Sequence, residues 1–424
     1  MIIRDVAIAG DDRGVDIEIR NGRIAAIVPS ELRPDASIRR VVLPGLVDLH
    51  AHLREPGGER SETIETGTRA AAAGGFTDVF AMANLTPVTD TAARVRDLRA
   101  RSLGASVRVH PVGAASVGLL GEELVDHAAL AAEGVTLFSD DGKCLSEAEM
   151  VREVLARMAE LGTIFAQHAQ DPQIVGAGVI NERVAHAAGA AGWPVSGEET
   201  IVARDIALAE ATGGRLHVCH VSTRGTVELV RRAKARGVPV SAEVTPHHLV
   251  LTDDDAALAG PALKVNPPLR SPEDVAALRE ALRDGTIDAI GTDHAPHPAE
   301  TKRMPWPDAA FGLTALETAL PIVSEVLTNG GRTDWDAVAR VMSFTPARIG
   351  GIADLAGRPV AVGEPATFCM VQPGHRWTVH AERMFSRSHN TPFEGRSLTA
   401  RVLATVIDGR VVHAGDDDVF AASR

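Results

Sequence analysis

The sequence predicts an α/β protein, a (β/α)8 (TIM) barrel with a small β-domain built from both chain ends. Three observations carry this expectation. Apolar strand-like runs alternate with Ala-rich helical stretches eight times between about residues 44 and 350, the pattern of parallel strands joined by crossover helices. Both chain ends instead show alternating apolar residues around the tight-turn pairs Asn21-Gly22 and Asp408-Gly409, a hairpin signal. Neither GxGxxG nor GxxxxGK[ST] opens a helix anywhere, which weakens the nucleotide-binding sheets as alternatives.

In chain order, Val6–Ala9, Val15–Ile19 and Arg23–Val28 read as short strands, and Pro44-Gly45 closes this segment. Barrel strands are expected near Leu46–His50, Asp78–Met82, Ser106–Val112, Val135–Ser139, Ile164–His168, Leu216–His220, Val238–Val244 and Ala289–Asp293. Helices are expected within Thr63–Ala73, Ala92–Arg101, Glu147–Leu161, Glu198–Thr212, Gly225–Arg236 and Pro272–Arg283. Pro365–Val371, Ala400–Ile407 and Arg410–Val412 return to β character, so residues 1–43 with 353–424 form the small domain and 44–352 the barrel. Asp416-Asp417-Asp418 reads as a solvated tail.

The bulk numbers narrow the function. A net charge of −13 and a pI near 5.7 argue against nucleic acid or an anionic membrane as partner. Cys144, Cys219 and Cys369 lie far apart without a CxxC, so a disulfide framework is not indicated and a reducing cytoplasm fits. The N-terminal residues lack a signal-peptide pattern, and no uncharged run is long enough to span a bilayer.

Chemistry concentrates where the barrel strands finish, the end at which this fold builds its sites. His50, His52 and Arg54 follow an apolar run at period two, so a strand would align both imidazoles and the guanidinium on one wall. Two neutral imidazoles side by side suit a divalent metal, and the arginine beyond them could clamp a carboxylate. Later strands end in Ser139-Asp140-Asp141-Gly142, in His168, in His217–Thr223 and in Thr292-Asp293-His294. His217 and His220 are three apart, so only one of them should face inward, and His217 reads as an ordinary hydrogen-bonded histidine. Five strand ends delivering four imidazoles and two carboxylates suit two zinc-like ions.

The chain resembles the class I dihydroorotases of the cyclic amidohydrolase superfamily over nearly its whole length. The motifs that carry the resemblance are DLHAHLREPGG (Asp48–Gly58), ETIETGTRAAAAGG (Glu62–Gly75), FSDDG (Phe138–Gly142), HVCHVST (His217–Thr223) and TPHHL (Thr245–Leu249). NPPLR (Asn266–Arg270), DHAPH (Asp293–His297), Phe311-Gly312 and NTPF (Asn390–Phe393) complete the ordered series. The resemblance implies a zinc enzyme with two Zn2+ per chain. His50, His52 and Asp293 would bind one ion, His168 and His220 the other, and Asp141 both. Arg54, Asn84, Asn266, His297 and the Phe311-Gly312 backbone would hold L-dihydroorotate. The implied reaction is reversible cyclisation of N-carbamoyl-L-aspartate in pyrimidine synthesis. In its hydrolytic direction an activated hydroxide attacks the ring amide, with Asp293 as general base and then general acid.

Two departures from the family pattern stand out. Met82-Ala83-Asn84-Leu85 replaces the usual Met-Pro-Asn-Thr, and Ala169-Gln170-Asp171 replaces the usual acidic pair after the fifth-strand histidine. The enzymatic alternative is a hydantoinase, dihydropyrimidinase or allantoinase. Those relatives bridge their metals with a carbamylated lysine at the end of strand four, where this chain has Ser139-Asp140-Asp141 and its nearest lysine is Lys143. Dihydropyrimidinases also use a tyrosine, and this chain has none. A non-catalytic scaffold for aspartate transcarbamoylase is disfavoured because every ligand is present, while an active subunit that docks that partner is compatible with the sequence. A homodimer is the base expectation for a soluble enzyme. Pro298–Pro307 reads as a surface loop or a lid beside the site.

Overall fold

The computed structural model describes residues 1–31 and 40–415, so the Asp416–Asp418 tail lies outside the described residues. The chain opens with β1 (Ile2–Ile8), β2 (Asp11–Arg20), β3 (Arg23–Pro29) and β4 (Arg40–Pro44). Its middle supplies β5 (Leu46–Ala51), β6 (Phe76–Ala81), β7 (Arg108–Pro111) and β8 (Leu137–Phe138). These are followed by β9 (Ile164–Gln167), β10 (Arg215–Val218), β11 (Val240–Val244) and β12 (Ala289–Ile290). Towards the C-terminus come β13 (Phe368–Gln372), β14 (Arg401–Ile407) and β15 (Arg410–Ala414).

Both chain ends meet in one seven-stranded sheet of order β15-β14-β13-β4-β1-β2-β3. Its hairpin turns have positive φ at both central residues, Asn21 (51°) with Gly22 (76°) and Asp408 (51°) with Gly409 (76°), the twist that two-residue hairpins need. The two turns also lie against each other: a Cβ on Gly22 would sit 2.8 Å from the Asp408 carbonyl oxygen. Ile3, Val6, Ile17, Ile24, Phe368 and Met370 form the buried core of this sheet.

The middle strands pair in parallel as β5-β6-β7 and as β12-β11-β10-β9-β8. Isolated parallel bridges join Gly113 to Phe138 and Ala51 to His294. Alternate residues of these strands enter different cores. Val47, Leu49, Phe80, Met82, Ile164 and Ala166 pack together on one face. Leu46, Val79, Ala81, Phe165, Leu216 and Val218 belong to the larger core that includes helix residues. Strands buried on both faces are the signature of a parallel sheet covered by helices.

Helices Ile64–Ala73, Ala92–Arg101, Arg224–Ala235 and Pro272–Asp284 begin where Thr63, Thr91, Thr223 and Ser271 each accept a hydrogen bond from the third helical amide. Helices Ala148–Leu161 and Ser196–Thr212 complete the expected set. The short helix His127–Ala132 and the helix Asp253–Ala259 were not anticipated, being too brief to show a full apolar period. Six of the barrel strands are shorter than expected, the fourth and eighth reduced to two residues each. The eighth ends at Ile290 because Thr292 N donates to Asp48 Oδ1 (2.9 Å) rather than to a ladder partner. The fourth ends at Phe138, and beyond it Asp141 N turns back to Ser139 Oγ (3.0 Å). Among the described residues no helix is long and apolar enough to cross a membrane.

Candidate active site

The chain leaves β5, β8, β9, β10 and β12 with His50, Asp141, His168, His220 and Asp293 converging. His50 Nε2 lies 3.3 Å from Asp141 Oδ1 and 3.6 Å from Asp293 Oδ1. His52 Nε2 lies 3.1 Å from Asp293 Oδ1 and 3.3 Å from Asp141 Oδ2. His168 Nδ1 and His220 Nε2 are 2.9 Å apart and stand 3.2 and 3.4 Å from Asp141 Oδ1. Four imidazoles therefore aim one ring nitrogen each at two carboxylates.

Three of the rings have their other nitrogen occupied from behind. His50 Nδ1 meets Glu243 Oε1 at 2.7 Å, His52 Nδ1 meets Asn84 Oδ1 at 2.9 Å, and His168 Nε2 meets Gln170 Oε1 at 2.9 Å. Each outer acceptor holds a ring N–H and leaves the inner nitrogen with its lone pair, the arrangement of metal-binding histidines. His50 Nε2 is buried without a hydrogen-bond partner. The donor atoms of His50, His52 and Asp293, and those of His50, Asp141 and His220, all lie within 4.8 Å of one another in each group. A third group, His50 with Cys219 and Glu243, is equally close, and burial pushes the Cys219 thiol up to about 12.

The charges respond to this crowding. Burial opposes ionisation of Asp141, yet His50, His168 and His220 hold it well below the usual carboxylate range. Asp293 is likewise lowered against its burial, by His52 and His50. Burial pulls His50 down, and Asp141 and Glu243 more than offset it, leaving this imidazole well above its usual value. Arg54, His220 and Asp293 sit at positive φ (61°, 34° and 44°), a backbone cost of order 1–3 kcal/mol each that persists where the surroundings enforce it, often at functional sites.

Beside these groups lies a cavity of about 200 Å³ lined by His52, Arg54, Asn84, Asp141, His168, His220, Asn266, Asp293, His297, Phe311 and Gly312, among others. All the residues anticipated from sequence thus come together, with His50 just behind the wall. Arg54 Nη2 contacts His297 Nε2 at 3.2 Å, and Arg54 forms no ion pair among the described residues. Burial and Arg54 push His297 down to about 3, so its ring is neutral and can accept from the guanidinium. Arg54 Nε is buried without a partner. Gly312 (φ 140°) admits no side chain: a Cβ there would come within 2.7 Å of Ala295. Asn390 fastens this wall, accepting from His297 N (3.0 Å) and donating to the carbonyls of Ala295 and Gly312 (3.1 Å each).

A family model described as "Dihydro-orotase-like" matches residues 39–226. A dihydroorotase of Streptomyces coelicolor is 51% identical over 383 residues, covering 88% of this chain and 89% of its own. One from Mycobacterium tuberculosis is 45% identical over 421 residues, 97% of each chain. The chain belongs to the dihydroorotase family. Among solved structures, an L-hydantoinase (dihydropyrimidinase) of Arthrobacter aurescens superposes with a TM-score of 0.84 at 28% identity, covering 98% of this chain and 96% of that one. Membership of the dihydroorotase family and this likeness make the chain a cyclic amidohydrolase enzyme.

Several residues of this dihydroorotase-family site had no individual signal in the sequence. Glu243 touches His50 and, at 3.2 Å through its second oxygen, His217 Nε2. His217 also meets Ser241 Oγ at 2.9 Å and does not line the cavity. His294 Nε2 contacts Glu62 Oε2 at 3.2 Å, and Ser386 Oγ donates to the same oxygen at 2.5 Å, tying the C-terminal region to the strand-eight end. Residues 298–307 are anchored rather than loosely looped. Lys302 is buried and donates to the carbonyls of Lys264, Ala310 and Gly312, while Lys264 Nζ donates to the carbonyls of Trp306 and Pro307.

Proposed function

We propose that the chain is a metal-dependent dihydroorotase that interconverts N-carbamoyl-L-aspartate and L-dihydroorotate in pyrimidine synthesis. The observation that carries this reading is the pairing of two features in one cavity. Four imidazoles face two carboxylates, and next to them stands a guanidinium that has no ion-pair partner among the described residues and can receive an anion. The net charge of −13 disfavours an anionic ligand elsewhere on the surface, so Arg54 is a local exception that suits the exocyclic carboxylate of dihydroorotate.

The donors fit a divalent ion because three of the imidazoles turn one nitrogen inward while an acceptor engages the other, and the buried carboxylates need positive charge. His50, His52 and Asp293 would hold one ion and His168 and His220 a second, with Asp141 serving both. Zn2+ suits such a set of imidazoles and carboxylates. When bound, the metal supplies Lewis-acid polarisation of the ring carbonyl and activation of water.

The chain's own residues do the rest. Arg54, Asn84 and His297 orient the substrate by its carboxylate, while Asn266 and the Phe311-Gly312 backbone hold the ring edge. Asp293, ionised and beside the imidazoles, takes a proton from the attacking water and passes it to the leaving ring nitrogen. Cyclisation runs the same transfers in reverse. The alternative hydantoinase-type amidase is less well supported: Asp141 faces the cavity at the end of β8, and Lys143 is exposed on the following turn.

The same reading takes the middle strands as a closed (β/α)8 barrel over residues 44–352, supported by the Gly113–Phe138 and Ala51–His294 bridges. Residues 1–43 and 353–424 then form the β-domain. It also takes the protein as a cytoplasmic homodimer, and is compatible with aspartate transcarbamoylase as a partner. Ultraviolet loss of L-dihydroorotate by the purified chain, with metal analysis of the same sample, tests the activity. Turnover with bound zinc is the expected result. Bound zinc with turnover of hydantoins alone would replace the reading, and activity only after adding aspartate transcarbamoylase would make the enzyme partner-dependent.

A further inference from the structure

One residue beside the cavity, Gln170, takes no part in the substrate contacts or proton transfers above. Gln170 Oε1 lies 2.9 Å from His168 Nε2 and accepts from Asn266 Nδ2 at 3.0 Å. Two donors thus converge on one carbonyl oxygen, which has two lone pairs to receive them. Asn266 Oδ1 is left buried with no hydrogen-bond partner among the described residues, and Asn266 lines the cavity.

The orientation of both amides follows from His168. Its Nδ1 stands 3.2 Å from Asp141 Oδ1 and 2.9 Å from His220 Nε2. To bind a cation there, Nδ1 must carry the lone pair, which places the ring proton on Nε2. That proton needs an acceptor, so Gln170 must present Oε1. Gln170 Oε1 then takes its second donor from Asn266 Nδ2, which leaves Oδ1 as the unpaired acceptor of this cavity-lining residue. Flipping Asn266 would set two acceptors face to face, and flipping Gln170 would set donors against donors, each an unfavourable buried pairing.

We propose that Gln170 is a positioning residue that sets the hydrogen-bonding requirement of the cavity, locking Asn266 so that its Oδ1 accepts from a ring N–H of the substrate. The site thereby selects cyclic ureides with an N–H at that edge over rings that lack it. This deepens the proposed activity and rests on it. A cavity built to receive a donor rejects an analogue without one because its acceptor stays buried and unpaired.

The test uses L-dihydroorotate and isosteric ring analogues in which CH2 replaces one N–H at a time, the analogues being measured as competitors. The wild type should bind one of them about 10- to 100-fold more weakly than dihydroorotate. Gln170→Leu should close most of that gap, with KM for dihydroorotate rising more than kcat falls. Gln170→Glu keeps an acceptor oxygen for both donors and should retain the discrimination. Gln170→Met, close to Gln in volume, is the second variant if Gln170→Leu fails to fold by circular dichroism. An unchanged gap in the folded Leu or Met variant, or a wild type indifferent to both replacements, would overturn the proposal. The activity itself fails differently: the wild type would then not turn over L-dihydroorotate at all.

Discussion

Glu243 and His50 are 193 positions apart in the chain and 2.7 Å apart in space, Oε1 to Nδ1, with both side chains fully buried. Burial opposes ionisation of this carboxyl, yet His50 and His217 hold it down at about 2, so a carboxylate fixes the tautomer of a candidate metal-binding ring. Glu243→Leu should therefore weaken metal retention about 10- to 100-fold, the usual effect of removing such an outer partner. Release of zinc to a competing chelator measures it. Retention equal to wild type in a folded variant would show that His50 needs no partner.

Gly291 depends on the same carboxylate. A Cβ at this position would lie 2.2 Å from Glu243 Oε2, so Gly291→Ala must displace either the β12 end or Glu243. Overpacking of this kind costs about 1–3 kcal/mol, and a lowered melting temperature together with faster metal release is expected. A thermally wild-type Gly291→Ala protein would contradict the packing described.

Asp293 is the candidate proton carrier. Asp293→Asn should preserve the fold while reducing turnover by about 10²–10⁴, the range for loss of a general acid–base group. Single-turnover kinetics on metal-reconstituted protein separate this from metal loss, because Asp293 also lies within donor distance of His50 and His52. Near-normal turnover would remove Asp293 from the proton path.

Arg54 makes a prediction about substrate charge. Arg54→Met should lower kcat/KM for dihydroorotate by about 10- to 100-fold, corresponding to a lost charged hydrogen bond of about 1.5–3 kcal/mol. The uncharged carboxamide analogue of the substrate should feel the change much less. Equal losses on both would mean that Arg54 does not read the carboxylate.

His127 gives a stability prediction. It is buried against Phe138, and burial with Arg157 nearby lowers its pKa to about 4 from 6.5. Between these values the unfolded chain binds a proton that the folded chain does not, so stability falls as pH drops from about 6.5 toward 4. Denaturant melts of wild type and His127→Phe across this window should differ by a slope that the variant lacks. Parallel pH profiles would exclude His127 from the acid response.

Much of the site was legible in the order of residues along the chain. Period-two spacing brought out His50 and His52, although β5 ends at Ala51 and Arg54 (φ 61°) reaches the cavity from beyond the strand, and strand-end logic selected Asp141, His168, His220 and Asp293, because each follows a locally recognisable apolar run that stops at a polar group. His217 and His220 do point apart, and only His220 lines the cavity, although the strand itself stops at Val218 and His220 lies beyond it at positive φ. The hairpins at Asn21-Gly22 and Asp408-Gly409 were legible for the same local reason, since few residues tolerate positive φ at both turn positions.

Only the tertiary structure decided which groups stand behind those residues. Glu243 reads as one charged residue in an apolar strand, and nothing near it in sequence names His50 or His217. Gln170 meets Asn266 across 96 positions, Asp48 meets Thr292 across 244, and Ser386 reaches Glu62 across 324. Local pattern reports the backbone period and the face a side chain occupies, but a hydrogen bond between distant strands depends on where packing brings their ends. That is why the inward donors could be read from the chain while the partners that fix their protons, and with them the edge the cavity offers to a substrate, could not.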